Sequence, residues 1–260
     1  MEPMEVPLYD RFDAYDLLIN WPSRLRSEAP FFRQLFRRHR VQSVLDVACG
    51  TGRHAHLFSR WGLRVTGTDL SSNMIRRARE NAVGNPSIQF LEAGFGEVQQ
   101  KAPGPYDAVT CLGSSLPHLL SQADLDAALV DFHAVLNPGG LLILQNNNYD
   151  AILQGPRRFM PLASARQAGR EYLFFRFFDF EGERVVFHVI TFMKEGKAWS
   201  YQADGTPQRP LLKADLEDHL SRTGFSQLAC YGDCRGSPFD PQESPNLVIV
   251  GIRGAMGQLN

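Results

Sequence analysis

Between residues 41 and 144, five short apolar runs alternate with segments of helical periodicity, and that alternation leaves few folds open to the chain. The runs are Val41–Val47, Leu63–Asp69, Ile88–Leu91, Tyr106–Cys111 and Leu141–Leu144. They fit strands of a parallel sheet buried on both faces and joined by helical crossovers. Helices are expected after the glycine turn to about Trp61, after a cap at Ser71 or Ser72, and over Asp124–Leu136, where Pro138-Gly139-Gly140 stops the last one. Upstream, residues 9–39 repeat apolar side chains at 3–4 spacing, and Pro22 is expected to split them into two helices.

After residue 150 the period changes. Phe/Val-rich runs over 171–180, 184–193 and 197–203 read as an antiparallel meander. A helix over Leu211–Thr223 and strands over Phe225–Gly232 and Asn246–Arg253 complete the frame. The expected fold class is α/β: a doubly wound, mostly parallel seven-stranded sheet with N-terminal helices and an inserted antiparallel β meander. In domain terms, residues 1–40 would form a helical cap and 41–150 with 206–260 the core. Residues 151–205 would form a subdomain covering the substrate.

A formal net charge of −1 excludes a broad basic field for nucleic acid or a lipid surface. The cluster Arg33, Arg37, Arg38, Arg40 reads as the solvated face of one helix. Cys49, Cys111, Cys230 and Cys234 form no C-x-x-C pair and lack metal-ligand spacing, so a reduced, cytoplasmic protein without a metal is expected. No signal-peptide core and no run of about 18 apolar residues is expected to direct the chain to a membrane.

The chemistry lies in Asp46-Val-Ala-Cys-Gly50-Thr-Gly52-Arg-His-Ala55, directly after the first strand. Gly50 and Gly52 allow a sharp turn and close approach to a ligand at a helix N-terminus. Asp69 ends the second strand, where a carboxylate can accept from both hydroxyls of a ribose. Gly50-x-Gly52-x-x-Ala55 also fits the dinucleotide fingerprint, so an NAD-dependent oxidoreductase stays open. Asp46 favours the other reading: it would repel a pyrophosphate but suits a cationic amino group. Alternatively, Asp46 caps the following helix.

Val44-Leu-Asp-Val-Ala-Cys-Gly-Thr-Gly52 and Asp69-Leu-Ser-Ser-Asn-Met74 resemble the first two motifs of class I S-adenosylmethionine-dependent methyltransferases. Cys111-Leu-Gly-Ser-Ser-Leu-Pro-His-Leu119 and Asn148-Tyr-Asp150 resemble the glycine and sarcosine N-methyltransferase group. The resemblance implies a Rossmann-like methyltransferase fold with S-adenosyl-L-methionine as cofactor and a small-molecule methyl acceptor. It assigns Arg24 to the methionine carboxylate, and Ala48, Gly50 and Gly52 to the glycine loop beneath the methionine part. Asp69 would take the ribose, with Leu70, Met74, Gly94 and Phe95 around the adenine. Leu112 and His118 would close over the cofactor, joined by Tyr15 from the N-terminal helices.

Two departures bear on the acceptor. The group has an arginine for the substrate carboxylate where Asn147 stands, and an asparagine where Ser114 stands. An amide holds a carboxylate far less well than a guanidinium, so an acceptor other than glycine is expected. His118, Asn147, Tyr149, Arg157, Arg158, Tyr172, Arg176 and Arg209 are the candidates for lining its pocket. A nucleic-acid methyltransferase is the further alternative, disfavoured because Leu112-Gly-Ser-Ser replaces the [ND]PP[YFW] stretch of base-amine enzymes.

Overall fold

A computed structural model describes residues 15–155 and 158–254 of the 260-residue chain. The core strands are β1 (Ser43–Val47), β2 (Arg64–Asp69), β3 (Ile88–Glu92), β4 (Tyr106–Cys111) and β5 (Leu136–Asn147). The last two strands, β10 (Phe225–Tyr231) and β11 (Asn246–Arg253), complete one seven-stranded sheet in the order β10-β11-β5-β4-β1-β2-β3. Strands β1 to β5 are parallel, and β11 runs antiparallel between β5 and β10. Chain order reverses between β1 and β4, which opens a crevice beyond the C-terminal strand ends, where open α/β sheets bind ligands.

Both faces of the sheet are covered. On one, Leu125, Leu129 and Phe132 of α6 (Gln122–Val135) pack on Leu45, Val109 and Leu142. On the other, Phe31, Phe32, Leu35 and Phe36 of α2 (Trp21–Arg38) meet Phe58 of α3 (Arg53–Ser59). Every residue of β1 is buried, as the unbroken apolar run requires. Helix α4 (Ser72–Asn81) starts where the Ser71 hydroxyl accepts the Met74 amide at 3.1 Å, and α5 (Val98–Lys101) is a single turn after β3.

The inserted sheet has four strands rather than three: β6 (Ala163–Gln167), β7 (Arg170–Glu181), β8 (Arg184–Glu195) and β9 (Ala198–Gln208), paired in that order. The short edge strand β6 is Ala-Ser-Ala-Arg-Gln, too polar to announce itself by period. Helix α7 (Tyr149–Gln154) is too short, at six residues, to show a helical period; the Asn148 side chain caps it by accepting the Ala151 amide. Helix α8 (Lys213–Arg222) leads into β10.

Three boundaries differ from expectation. The N-terminal helices, α1 (Tyr15–Leu18) and α2, part before Pro22, because Asn20 caps α2 and Pro22 sits in its first turn, where no amide is needed. Strand β5 begins at Leu136, upstream of Pro138-Gly139-Gly140. Its register on β4 shifts between Tyr106↔Leu136 and Ala108↔Leu141, so the turn is absorbed as a bulge. Helix α3 ends at Ser59, two residues short of Trp61.

Candidate active site

The loop after β1 turns through three left-handed residues, Ala48 (φ 54°), Gly50 (φ 54°) and Gly52 (φ 74°). Gly52 is irreplaceable on two counts: its φ is positive, and a Cβ there would lie 2.6 Å from Phe90 Cζ. Ala48 accepts a conformation that costs a non-glycine residue about 1 kcal/mol or more. Asp69 holds this loop. Its Oδ2 accepts the Gly50 amide at 2.8 Å and its Oδ1 accepts the Ser71 amide at 2.9 Å. The N-terminal helices add a second clamp. Asp16 on α1 accepts from Thr51 at 2.7 Å and from Arg53 at 2.8 Å. Burial raises its pKa, but the Arg53 and Thr51 bonds outweigh that and hold the carboxyl below its ordinary range.

A crevice of about 570 Å³ opens beside this loop. Of the residues expected at the cofactor, Ala48, Gly50, Asp69, Leu70, Met74, Gly94, Phe95 and His118 line it. Four described residues expected there do not: Asp46, Gly52, Leu112 and Arg24, the last of which lines a second cavity. Asp46 is 2% exposed, accepts from the Thr110 hydroxyl at 2.8 Å and bonds the Ala55 amide at the start of α3. It braces the loop from beneath, so the capping reading of Asp46 fits its geometry better than direct contact with an amino group; burial raises its pKa. Gly52 lies under the loop against Phe90, and Leu112 is buried in the core. Tyr15, by its side chain, and Arg157 lie outside the described residues.

At the far end of the crevice Gly94 is joined by Glu97, which was not anticipated from the sequence. Its Oε2 accepts the Gly94 amide at 2.9 Å and lies 3.6 Å from where a Gly94 Cβ would be. His118, on a single 3-10 turn (Leu116–His118), is buried deeply enough that desolvation pulls its pKa to about 4. Its imidazole is therefore neutral at physiological pH.

A second cavity, of about 360 Å³, adjoins the first, and Gly113 lines both. Gln145, at the C-terminal end of β5, ties the junction together. Its Oε1 accepts Gly113 N–H at 2.7 Å and Arg24 Nη2 at 3.1 Å, while its Nε2 donates to Asn246 Oδ1 at 2.9 Å. Arg24 thus lines the second cavity beside the junction. Glu28, one helical turn on, accepts from Arg24 Nε at 2.9 Å and lies 2.7 Å from His54 Nε2. Burial raises the Glu28 pKa, but the bonds to His54 and Arg24 prevail and hold it below its ordinary value. Ser114 is left-handed (φ 63°), and its hydroxyl accepts the Asn147 amide.

Asn147 and Arg176 line this second cavity. Tyr149, Arg158, Tyr172 and Arg209 do not; Arg158 pairs with Asp179. Tyr149 is fully buried and donates to Gln208 Oε1 at 2.8 Å, so it sets a cavity-lining amide rather than touching a ligand. Tyr172 stacks on Phe174, and the Arg209 amide bonds Pro117. Glu28, Gln145 and Gln208 were missed; Glu28 is foreshadowed only by its i+4 relation to Arg24, and Gln145 by its place at a strand end. Burial pushes the Cys49, Cys111 and Cys234 thiols well up and Cys230 to about 12, away from the range of a reactive thiolate. Among the described residues no cluster of metal ligands occurs.

A sheet of this order, with a glycine loop clamped by an acid at the end of β2, is that of a class I S-adenosylmethionine-dependent methyltransferase. Residues 44–140 match a methyltransferase domain family. The glycine/sarcosine N-methyltransferase of Parasynechococcus marenigrum is 40% identical over 147 residues, 56% of this chain and 52% of that protein. The glycine/sarcosine N-methyltransferase of Aphanothece halophytica is 31% identical over 246 residues, 91% of this chain and 85% of that protein. A crystal structure of an S-adenosylmethionine-dependent methyltransferase from Clostridium acetobutylicum superposes with a TM-score of 0.76 at 18% identity, covering 96% of this chain and all of that one. The chain belongs to the glycine/sarcosine N-methyltransferase family of S-adenosylmethionine-dependent methyltransferases, although it spans only about half the length of the first relative.

The residues of the crevice fit S-adenosylmethionine. Asp69 presents its carboxylate at the crevice wall, and the Thr206 hydroxyl, which lines the crevice, is buried without a partner. Such an orphan is satisfied by a polar ligand group.

Proposed function

We propose that the protein transfers a methyl group from S-adenosylmethionine to the nitrogen of a small-molecule amine other than glycine. The observation that carries this reading is the pair of cavities meeting at Gly113: one floored by the glycine loop and Asp69, the other lined by Arg24, Asn147 and Arg176. When bound, the cofactor supplies an electrophilic sulfonium methyl. The chain's own contribution is placement. Asp69 holds the ribose, Leu70, Met74 and Phe95 enclose the adenine, and Arg24, set by Glu28 and Gln145, takes the methionine carboxylate. Glu97, whose carboxylate accepts the Gly94 amide, stands at the adenine end of the crevice. The meander roofs the junction and excludes water. Orientation alone supplies up to ~7–11 kcal/mol in favourable systems, and a neutral amine needs no dedicated base.

In this reading residues 1–40, of which 1–14 lie outside the described residues, act as a cap, 151–205 cover the acceptor, and the remainder carries the cofactor. No helix among the described residues is long and apolar enough to cross a membrane. Asn147, in place of an arginine, argues against glycine as acceptor. Steady-state release of S-adenosylhomocysteine with glycine, sarcosine and larger amines tests this: turnover of a larger amine with glycine near background is expected. Brisk turnover of glycine would refute the exclusion.

A further inference from the structure

Strand β7 carries an arginine where its own pattern calls for an apolar residue. Phe174 and Phe178 point inward and are fully buried, and Arg176 lies between them on the same face, by the two-residue repeat of a strand. Phe175 and Phe177 occupy the opposite face, where Phe159 stacks on Phe175. The inward position puts Arg176 in the wall of the acceptor cavity, beside Met160, Phe187 and Val189.

Its guanidinium is under-used. One nitrogen, Nη2, donates to the Pro161 carbonyl at 3.3 Å, and Nε is buried with no partner. No carboxylate among the described residues pairs with it. Glu28, the acid in the same cavity, is engaged by Arg24 and His54. Asp204, two strands along in the same row (Arg176↔Val189↔Asp204), accepts from Gln202 at 3.0 Å. Burial also pulls the Arg176 pKa down, as for a cation lacking a counter-ion. A half-buried guanidinium in a cavity wall, with its Nε unpartnered and no carboxylate beside it, has donors left for an anionic ligand.

We propose that Arg176 is the anion anchor of the acceptor cavity, so that the acceptor is an amine bearing an oxyacid group, carboxylate or phosphate, bound from the meander side. The proposal rests on the methyltransferase reading above. It accounts for Asn147: the anchor has moved from the end of β5 to the facing wall. The cavity's 360 Å³ lies in the range that takes drug-sized ligands, leaving room for a spacer between nitrogen and acid.

The test is calorimetric titration of the full chain loaded with S-adenosylhomocysteine. The probes are β-alanine, 4-aminobenzoate and 2-aminoethyl phosphate, each against its uncharged counterpart: β-alaninamide, 4-aminobenzamide and ethanolamine. At least one acid is expected to bind tenfold or more tightly than its counterpart, and which one separates carboxylate from phosphate. Arg176→Met is expected to abolish that preference while changing S-adenosylhomocysteine affinity less than twofold. Arg176→Lys, which keeps the charge but loses the bidentate fork, should retain part of it and controls for folding. If no acid outbinds its counterpart, or if Arg176→Met keeps the preference, the anchor is refuted. Failure of S-adenosylhomocysteine to bind at all would instead overturn the methyltransferase reading and the anchor with it.

Discussion

The Asp69 carboxylate accepts the Gly50 amide at 2.8 Å, so the acid expected to meet a ribose is also the group that fixes the glycine loop. Its other oxygen takes the Ser71 amide at 2.9 Å, one residue before α4 begins. One side chain therefore sets the loop, the next turn and the floor of the crevice together.

Removing that carboxylate should cost more than a ribose contact. Asp69→Ala is expected to weaken S-adenosylmethionine binding by about 1.5–3 kcal/mol, roughly ten- to a hundredfold, from lost charge-assisted bonds. Asp69→Asn, which keeps one acceptor oxygen, should fall between. Calorimetric titration reads both; unchanged affinity in Asp69→Ala would remove Asp69 from the cofactor site.

Gly52 and Phe90 should behave as a coupled pair. A Cβ on residue 52 would meet Phe90 Cζ at 2.6 Å, at a φ of 74° that disfavours any other side chain. Gly52→Ala is expected to destabilise the fold by about 2 kcal/mol, from overpacking and backbone strain. In a chain of this size that lowers the melting temperature by roughly 4–8 °C. Phe90→Leu in the same chain should return part of the loss, because contacting residues couple. Strictly additive effects would show that the clash is relieved elsewhere.

His118 supplies a pH signature. Its folded pKa is about 4 against an ordinary value of 6.5, with burial as the cause. A base whose pKa is depressed on folding binds more protons when unfolded across that interval. Its contribution is complete above pH 6.5 and is lost as pH falls toward 4, at up to about 1.4 kcal/mol per pH unit. His118→Gln should flatten the slope of denaturant-derived stability between pH 6.5 and 4. An unaltered slope would place the titrating group elsewhere.

Position 147 is expected to govern glycine. Asn147→Arg restores a guanidinium at the end of β5 and should raise glycine turnover at least tenfold over wild type, read as S-adenosylhomocysteine release. No gain would mean that the amide at 147 is not what excludes glycine.

Much of this was legible from residues alone. The five apolar runs became β1 to β5, and Asn246–Arg253 became β11 with the expected bounds, because strands buried on both faces write a continuous apolar signal. Ala48, Gly50 and Asp69 gather at the crevice because strand order puts the ends of β1 and β2 side by side, and motif spacing carries that information. What stayed hidden depends on long-range contact. Gln145 meets Arg24 across 121 residues, and Tyr149 meets Gln208 across 59, neither with a local pattern. Asp46 is a different case: its place ahead of the glycines suggests a ligand contact, while its partners within the chain, Thr110 and the start of α3, show only in the fold.

The central claim is that the two cavities meeting at Gly113 bring a sulfonium methyl against an amine. The direct measurement is single-turnover transfer from 13C-methyl S-adenosylmethionine to a panel of small amines, with the label followed by NMR. The account predicts that the label appears on the nitrogen of a non-glycine amine, one methyl for each S-adenosylhomocysteine formed. Label that stays on the cofactor or passes only to water, or a chain that binds NAD in preference to S-adenosylmethionine, would contradict it.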